Sequence, residues 1–220
     1  MTPTPDDNPN RLVLFENQSL EKLTVISVRW FILLWSVLLP LIAWAGWGSV
    51  SVVGGLALVA IGLLIWTLFE YYAHRYLFHW DAPWKLAQQM VFVIHGNHHE
   101  QPRDLLRNLM PPIISVPVGL ILWALFFALI GDAGTWVLLG FMSGYVMYDL
   151  THYACHQWPM RSRFGRMMKR HHMRHHFSDE EGNFAITALF WDRVFRTRVR
   201  SARRKKVETA EPVRAQRVGE

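Results

Sequence analysis

The histidines of this chain are the residues whose number and spacing point most directly to chemistry. All 11 of them lie between residues 74 and 176. They form four clusters, which are HRYLFH from residue 74, HGNHH from 95, HYACH from 152 and HHMRHH from 171. Neutral imidazole is the commonest protein ligand for metals and suits zinc, copper, iron and nickel. The clustering therefore indicates a metal site in preference to 11 separate structural histidines.

The spacing inside the clusters has a geometric meaning if these segments are helical. Residues three and four apart share a face of an α-helix, because each residue turns the chain by about 100°. Both HxxHH patterns are then predicted to converge on one point each: His95, His98 and His99; His172, His175 and His176. His152 and His156 are one turn apart. His74 and His79 are five apart, about 140° around the helix, so we expect them to flank a metal pair or to lie where the helix ends.

The number of histidines bears on the number and type of metal ions. A structural zinc ion takes four ligands, so ten or so histidines are too many for one such ion and suit two metals. Cys155 is the single cysteine of the chain and lies inside the third cluster. We predict that it packs and does not ligate, because sulfur would be the odd member of an imidazole set. The chain has no Glu-x-x-His pair of the kind that soluble di-iron carboxylate proteins use, so bound iron would have mostly nitrogen ligands.

Two carboxylates stand beside the clusters. Glu70 is one helical turn before His74, and Asp149 is three residues before His152. Histidines that bind a metal usually donate their second N–H group to a carboxylate or a carbonyl. We predict that Glu70 and Asp149 orient the ligands in this way. The alternative is a charged residue at a helix end that faces water.

Long apolar stretches must position the clusters. Hydrophobic residues make up 51% of the 220 residues. Apolar stretches cover about residues 25–45, 50–69, 113–130 and 136–148, and the last needs the following residues to complete a span. Short turns join them in two pairs, and their lengths suit membrane helices. We predict an all-α integral membrane protein with four transmembrane helices in two hairpins and a cytosolic, histidine-rich helical cap.

The distribution of positive charge predicts the orientation of the spans. All 23 Lys and Arg fall in residues 1–29, 75–107 and 161–217, and the two tight turns contain none. By the positive-inside rule both termini and the middle loop are cytoplasmic, together with all four histidine clusters. The net charge is +6, and beside apolar spans it favours anionic lipid headgroups over nucleic acid as the partner. The run RSRFGRMMKR before the last cluster is either a contact to the membrane surface or a solvated basic face.

Composition divides the chain into three parts. Residues 1–20 form a polar N-terminal segment, residues 21–200 form the membrane domain, and residues 201–220 form a basic tail that we expect to be disordered. No charged-then-apolar signal sequence precedes the first span.

Around its histidines the chain resembles the fatty acid hydroxylase superfamily. The resemblance runs from about Glu70 to Thr197 and is carried by EYYAHRYLFHW, HGNHHEQPRDLLRNLMPP, YDLTHYACH and HHMRHHFSDEEGNFAITALFWDRVF. Within the superfamily the chain is most similar to the fatty acid (ceramide) 2-hydroxylases. HxxHH alone would be less specific, because membrane acyl desaturases share it.

This resemblance implies a membrane di-iron oxygenase. Such an enzyme uses O2 and two electrons to hydroxylate a lipid acyl chain, here at the 2-position of a fatty acyl group or a ceramide. The resemblance also implies ten ligands to two iron ions: His74, His79, His95, His98, His99, His152, His156, His172, His175 and His176. It leaves His171 as the extra histidine, with a structural or ligand-orienting role.

The partners follow from a departure from the family. Eukaryotic members are often fused to a cytochrome b5 domain, whereas this sequence has no HPGG haem-ligand motif. We therefore expect a membrane lipid substrate and a separate electron donor, either a ferredoxin or a cytochrome b5-like protein. The missing donor domain and the missing targeting segment predict a bacterial inner membrane location. The oligomeric state is left open.

Two other functions remain open at this stage. A carotenoid or sterol hydroxylase or desaturase of the same superfamily would have similar histidine clusters. A metal-binding transporter or sensor would have no catalytic activity. A transporter should carry ionisable residues at the centres of its spans, whereas here they gather near one end of the spans.

Overall fold

The computed structural model describes residues 12–199, and every regular element in that range is helical. The α-helices are α1 Gln18–Leu23, α2 Val28–Ala45, α3 Val52–Tyr72, α4 Lys85–Val91, α5 Asn97–Glu100, α6 Pro112–Ile130, α7 Gly134–Gln157, α8 Arg163–Phe177 and α9 Trp191–Val194. Two π-helical turns cover Ala73–Phe78 and Phe92–Gly96, and a 3-10 turn covers Gly131–Ala133. The predicted basic tail and the first half of the predicted N-terminal segment lie outside the described residues.

Three helical stretches of the described chain are long and apolar enough to cross a membrane. They are Val28–Ala45, Val52–Phe78 and Pro112–Gln157. The third has 46 residues, more than twice the roughly 20 that a bilayer core requires, and it consists of α6, the 3-10 turn and α7. These two helices fold back on each other, since Trp123 Nε1 donates to Thr135 Oγ1 at 3.0 Å. The all-α prediction is confirmed, and the count of four crossings stays a prediction.

The long helices begin where the sequence supplies a suitable first residue. Ser27 Oγ accepts a hydrogen bond from Trp30 N at the start of α2, and Ser51 Oγ accepts one from Gly54 N at the start of α3. A serine hydroxyl at this position satisfies a backbone N–H group that the helix leaves without a partner. Pro112 occupies the first turn of α6, where its missing N–H group costs nothing. Polar and proline residues thus set the starts of helices whose interiors are apolar.

Helices α3 and α7 form the centre of the fold, and their backbones touch. A Cβ atom on Gly140 would lie 2.0 Å from the carbonyl oxygen of Val59, and one on Gly62 would lie 2.1 Å from that of Val137. Small residues at a membrane helix interface permit this close approach. The crossing matters for function because α3 leads into His74 and α7 carries His152.

The surfaces of the long helices are apolar both inside and outside the fold. Inside, the Trp66 ring packs edge-on against Phe141 and Tyr145, with centroids 5.1 and 5.6 Å away. Outside, Leu64 and Ile121 are each 67% exposed. A helix that is hydrophobic all round is buried in a large core or in a membrane. Because most of the surface of these side chains is not covered by protein, lipid is the environment that would cover it.

Candidate metal centre

The histidines converge into two groups of five at one end of α3 and α7. The first histidine group consists of His74, His79, His95, His99 and His175. The second histidine group consists of His98, His152, His156, His172 and His176. The ligand atoms within each group all lie within 4.8 Å of one another. All ten histidines that the sequence singled out as ligands are therefore brought together in two sets.

A π-helical turn explains why His74 and His79 belong to the same group. In an α-helix these two residues would point about 140° apart. The chain instead forms a π-helical turn over Ala73–Phe78, directly after α3. Hydrogen bonds from i to i+5 stack residues five apart, and such turns occur frequently at functional sites. The apparent misfit of this pair in the sequence therefore reflects a local change of helix type.

Each HxxHH box is divided between the two groups, which corrects the prediction that its three histidines converge on one point. In the second cluster, His95 and His99 join the first group while His98 joins the second. In the fourth cluster, His172 and His176 join the second group while His175 joins the first. Relative to residue i, residue i+4 is rotated by about 40° around the helix axis in one direction, and residue i+3 by about 60° in the other direction. Each box therefore reaches both groups from about one turn of helical backbone.

The distances between the ring nitrogens fit metal coordination. In the first group His95 Nε2 lies 3.2 Å from His74 Nε2 and 2.8 Å from His99 Nε2. In the second group His156 Nε2 lies 2.7 Å from His172 Nε2. Nitrogen ligands lie about 2.0–2.1 Å from a zinc ion, so two of them at right angles around an ion of that size are about 3 Å apart. Within each group, the nitrogens thus have the spacing of ligands around one ion.

Backbone carbonyls fix which nitrogen of several rings faces inward. His74 Nδ1 lies 2.5 Å from Phe184 O, His175 Nδ1 lies 2.9 Å from Gly182 O, and His152 Nδ1 lies 3.0 Å from Asn108 O. A carbonyl only accepts hydrogen bonds, so each Nδ1 carries the hydrogen and each neutral ring presents an unprotonated Nε2. Metal-ligating histidines show this arrangement. The chemistry of the donor set therefore fits two metal ions.

Two buried carboxylates hold the loop that supplies two of these carbonyls. Glu70 accepts hydrogen bonds from Ile186 N at 2.6 Å and Thr187 N at 2.8 Å, and from the Thr187 hydroxyl. Asp192 accepts from Phe184 N and Ala185 N, both at 2.9 Å. The loop at 182–187 carries Gly182 O and Phe184 O. Glu70 therefore bonds to the loop, and through it reaches histidines of the first group.

Asp149 has the corresponding position beside the second group. Its carboxylate accepts from Met110 N at 2.8 Å and from the Tyr145 hydroxyl at 3.1 Å. The segment that ends at Met110 also contains Asn108, whose carbonyl accepts from His152. The described contacts of Asp149 thus lead to the second group through a backbone segment.

Asn108 is a residue of this site that sequence reasoning missed. It is 2% exposed, and its side-chain nitrogen lies 2.9 Å from His98 Nδ1. Its backbone oxygen binds His152 Nδ1, so one residue contacts two histidines of the second group. Gln157 Nε2 donates to the side-chain oxygen of Asn108 at 2.6 Å and holds the amide in place. Only the position of Asn108 in the loop after the second cluster could have drawn attention to it.

His171 is the one histidine outside the two groups. Its Nε2 atom lies 2.8 Å from Asp192 Oδ2, and Asn183 Nδ2 donates to its backbone carbonyl at 3.1 Å. Asp192 is fully buried. The extra histidine therefore ties α8 to the segment around α9. Cys155 is also fully buried, and it belongs to neither group.

The electrostatics of the site favour neutral imidazoles. Burial lowers the pKa of His79 to about 4 and that of His99 to about 3. The pKa values of His98 and His172 lie well below 6.5, because burial and neighbouring histidines both disfavour the charged form. A metal ligand must be unprotonated, and these rings are neutral at physiological pH. The folded protein thus holds its histidines in the form that binds metal.

An apolar cavity of about 340 Å³ lies next to the candidate metal centre, and two of its wall residues contact histidines. Its wall includes Trp66, Phe69, Phe78 and Tyr148. The Phe78 ring stacks on His95 of the first group, with centroids 5.2 Å apart. The Tyr148 ring stacks on His152 of the second group, with centroids 6.0 Å apart. The cavity wall therefore contacts one histidine of each group.

Two aromatic side chains of nearby segments, Trp191 and Tyr72, do not line this cavity. The Trp191 ring stacks on Phe195, with centroids 5.6 Å apart, and its Nε1 atom donates to Thr67 Oγ1 at 3.2 Å. Tyr72 contacts Phe195 and stacks on Tyr76, with centroids 5.5 and 5.8 Å away.

Comparison with known proteins places the chain in a family. A sequence model of the fatty acid hydroxylase family matches residues 59–197. The dihydroceramide fatty acyl 2-hydroxylase FAH1 of Arabidopsis thaliana is 34% identical over 189 residues, which cover 83% of this chain and 78% of that protein. FAH2 of the same plant is 38% identical over 64% of this chain and 60% of its own length.

Yeast relatives extend the comparison to a solved structure. The ceramide very long chain fatty acid hydroxylase SCS7 of Saccharomyces cerevisiae is 37% identical, and the match spans 64% of this chain but only 37% of the yeast protein. The solved structure of full-length scs7p, in which only the hydroxylase domain is visible, superposes with a TM-score of 0.76 at 31% identity. That match covers 82% of this chain and 70% of the solved one. The chain belongs to the fatty acid hydroxylase family.

Proposed function

We propose that this protein hydroxylates a lipid acyl chain, at the 2-position of a fatty acyl group or a ceramide, with O2 and two iron ions held by the ten histidines. The observation that carries the proposal is the apolar cavity whose wall residues Phe78 and Tyr148 each stack on a histidine of a different group. The matched relatives are named as fatty acid or ceramide hydroxylases, and this supports the reaction class.

The proposed reaction requires an oxidant that no side chain can supply. Bound iron would provide the means to activate O2 and attack an unactivated C–H bond. One oxygen atom enters the lipid as a hydroxyl group, and the other leaves as water with two protons and two electrons. The ten histidines would hold the metal pair, five to each ion, while Asn108, Asp149, Glu70 and His171 keep the ligands and their loops in place.

The cavity would receive the acyl chain and orient it. Its volume of about 340 Å³ lies within the range of small-molecule sites, which are mostly apolar with a few polar groups. Phe78 and Tyr148 would place a methylene group beside the histidine groups, and the apolar wall would exclude water. The lipid headgroup would remain near the membrane surface.

The charge pattern of the chain supports a specific membrane topology. We propose four membrane crossings in two hairpins, with both termini and the histidine clusters on the cytoplasmic side. Electrons would come from a separate ferredoxin or cytochrome b5-like protein. A bacterial inner membrane remains our prediction, although the relatives described above come from a plant and a yeast.

Expression in a host that lacks 2-hydroxy lipids tests the function. We expect total lipids to contain acyl chains heavier by one oxygen atom, with fragment ions that place it at the 2-position. His98→Ala should abolish the product and lower the iron content, because His98 belongs to the second histidine group. Glu100→Ala, at an exposed position beside the same box, is the matched control and should retain both iron ions. A ring-hydroxylated isoprenoid in place of an acyl product would favour the carotenoid or sterol alternative and reject our proposal.

A further inference from the structure

A groove lined by arginines lies on the outer face of α8. It has a volume of about 780 Å³, and α8, α9 and the segments beside α9 form its walls. Six arginines line it: Arg163, Arg166, Arg170, Arg174, Arg193 and Arg198. Phe164, Met167 and Leu189 add apolar surface. Arginine together with large apolar side chains is enriched at protein interfaces, so this composition is typical of a docking surface.

The charge of the groove is not neutralised by neighbouring carboxylates. Within residues 12–199 the ion pairs involve Arg107 and His171 and none of the six groove arginines. Arg174 donates to a backbone carbonyl, Val199 O, at 3.4 Å. Clustered charges of one sign in a concave surface focus the potential and raise the local concentration of an oppositely charged partner. An anionic partner is therefore favoured.

The groove faces away from the membrane spans. Arg163, Arg166, Arg170 and Arg174 recur every three to four residues and so share one face of α8. His172 is about 200° around the helix from Arg170, and its ring contacts the ring of His156 at the end of α7, with centroids 4.7 Å apart. One face of α8 thus covers the ends of the spans, and the opposite face points away from them.

His171 links the groove to the metal centre. It lines the groove, is 8% exposed and lies 2.8 Å from Asp192 through its Nε2 atom. The next residue in the chain is His172, a member of the second histidine group. One peptide unit therefore separates a residue of the groove wall from a candidate metal ligand.

We propose that this groove docks an acidic one-electron carrier protein, which delivers electrons through the His171–His172 segment. The proposal rests on the proposed hydroxylation, because that reaction consumes two electrons and two protons for each O2. Two reduced carriers would dock in turn and leave oxidised. Residues 200–220 contain seven Lys and Arg against three Glu, so their net charge opposes binding in the same groove.

Binding of purified carriers tests the proposal. The iron-loaded protein in discs of neutral lipid is mixed separately with a plant-type ferredoxin and with the soluble domain of cytochrome b5. At least one should bind, with an affinity that falls as salt rises from about 0.05 to about 0.5 M. The triple variant Arg166→Glu, Arg170→Glu, Arg193→Glu should weaken binding at least about tenfold and slow oxidation of the pre-reduced carrier. Its iron content and thermal unfolding temperature should stay unchanged.

A charge-matched variant makes the result specific to the groove. Lys22→Glu, Lys85→Glu, Arg103→Glu changes the net charge by the same amount at exposed positions elsewhere, and it should bind the carriers like the wild type. Equal weakening in both variants overturns the proposal, as does the failure of both carriers to bind. Loss of co-purified anionic lipid from the groove variant, with no carrier bound to the wild type, would assign the groove to lipid headgroups.

The same samples separate this proposal from the proposed function. Wild-type protein that binds a carrier through the groove but yields no hydroxylated lipid would leave the docking surface standing and reject the hydroxylation. Hydroxylated lipid without groove-dependent binding of a carrier would support the hydroxylation and reject the docking surface.

Discussion

At the scale of single residues, the sequence identified the histidines but not the groups that orient them. Clustering at helical spacing pointed to a metal site, and the resemblance to the fatty acid hydroxylase superfamily implied which ten imidazoles are its ligands. Asn108 could not, because its role depends on a backbone carbonyl and an amide that only the folded loop brings to two rings. Glu70 and Asp149 could be noticed by their proximity in sequence, but their hydrogen bonds to backbone segments depend on contacts 39 to 117 residues apart.

Replacement of Asn108 should weaken metal binding at the second histidine group. Asn108→Ala removes the amide beside His98 and leaves the ring free to turn. We expect metal affinity to fall about 10- to 100-fold, as is usual when a partner of a metal ligand is lost. Competition with a graded series of chelators measures this change. Asn97→Ala is the matched control, because the Asn97 amide donates to the backbone carbonyls of Phe92 and Val93. Equal loss of metal in both variants would contradict the role of Asn108.

The metal-free protein should lose stability as the pH falls from about 6.5 to about 4. Burial lowers the pKa of His79 to about 4 and that of His99 to about 3, whereas an unfolded chain takes up these protons near pH 6.5. Between these values the unfolded state binds more protons, so the stabilising contribution is present above pH 6.5 and is lost on acidification. Thermal unfolding of metal-free protein in detergent would measure it. An unfolding temperature that stays constant between pH 7 and pH 4.5 would refute the expectation.

At the scale of elements, the sequence predicted the long helices better than their local irregularities. Apolar stretches of nearly 20 residues and the prolines at 111–112 were sufficient to place α2, α3 and α6. The apolar part of α7 stops short of a full span, and the structure continues it to Gln157. The π-helical turns at 73–78 and 92–96 were not predictable from periodicity, because their geometry depends on convergence of the histidines from distant segments.

The contact between α3 and α7 should tolerate no added methyl group. Gly140→Ala would place Cβ against the Val59 carbonyl oxygen, and a backbone atom cannot move aside without separating the helices. We expect destabilisation of at least about 2–3 kcal/mol. We also expect a loss of bound metal, since α7 carries two histidines of the second group and α3 leads directly into His74 of the first. Gly119→Ala is the control, because its nearest neighbour would be the flexible Met142 side chain at 3.5 Å. Thermal unfolding with metal analysis compares them, and equal stability would contradict the packing argument.

A larger residue inside the cavity should block long acyl chains. Ala87 on α4 lines the cavity and is 7% exposed. Ala87→Phe should lower hydroxylation of long chains at least about tenfold while metal content stays constant, because a phenyl ring takes space meant for substrate. Leu86→Phe is the control on the same helix, since Leu86 is 67% exposed. Lipid mass spectrometry gives the product, and unchanged activity of Ala87→Phe would place the substrate elsewhere.

At the scale of the whole molecule, the proposed topology and the charge pattern together predict which side of the membrane carries the histidine groups. Family and all-helical architecture could be predicted from the sequence, because the motifs are long and the spans strongly apolar. The pairing of ligands between the two groups could not be predicted, because it arises only when four segments meet.

Accessibility of single cysteines should establish the proposed orientation. Asp132→Cys lies in the turn between α6 and α7, and Glu180→Cys lies after α8, both at exposed positions. In intact cells an impermeant maleimide should label only Asp132→Cys, because two hairpins place this turn opposite the histidine clusters. Native Cys155 is fully buried and should give little background. Labelling of both variants from the same side would reject four crossings.

The division of each HxxHH box between two histidine groups means that neither group lies on a separable segment of the chain. A fragment that contains only one of the two boxes would lack ligands of both groups. The first group takes its fifth nitrogen from α8, and the second takes one from the box at 95–99. A truncated chain that ends before α8 therefore lacks part of both sites. The two histidine groups are therefore assembled together or not at all.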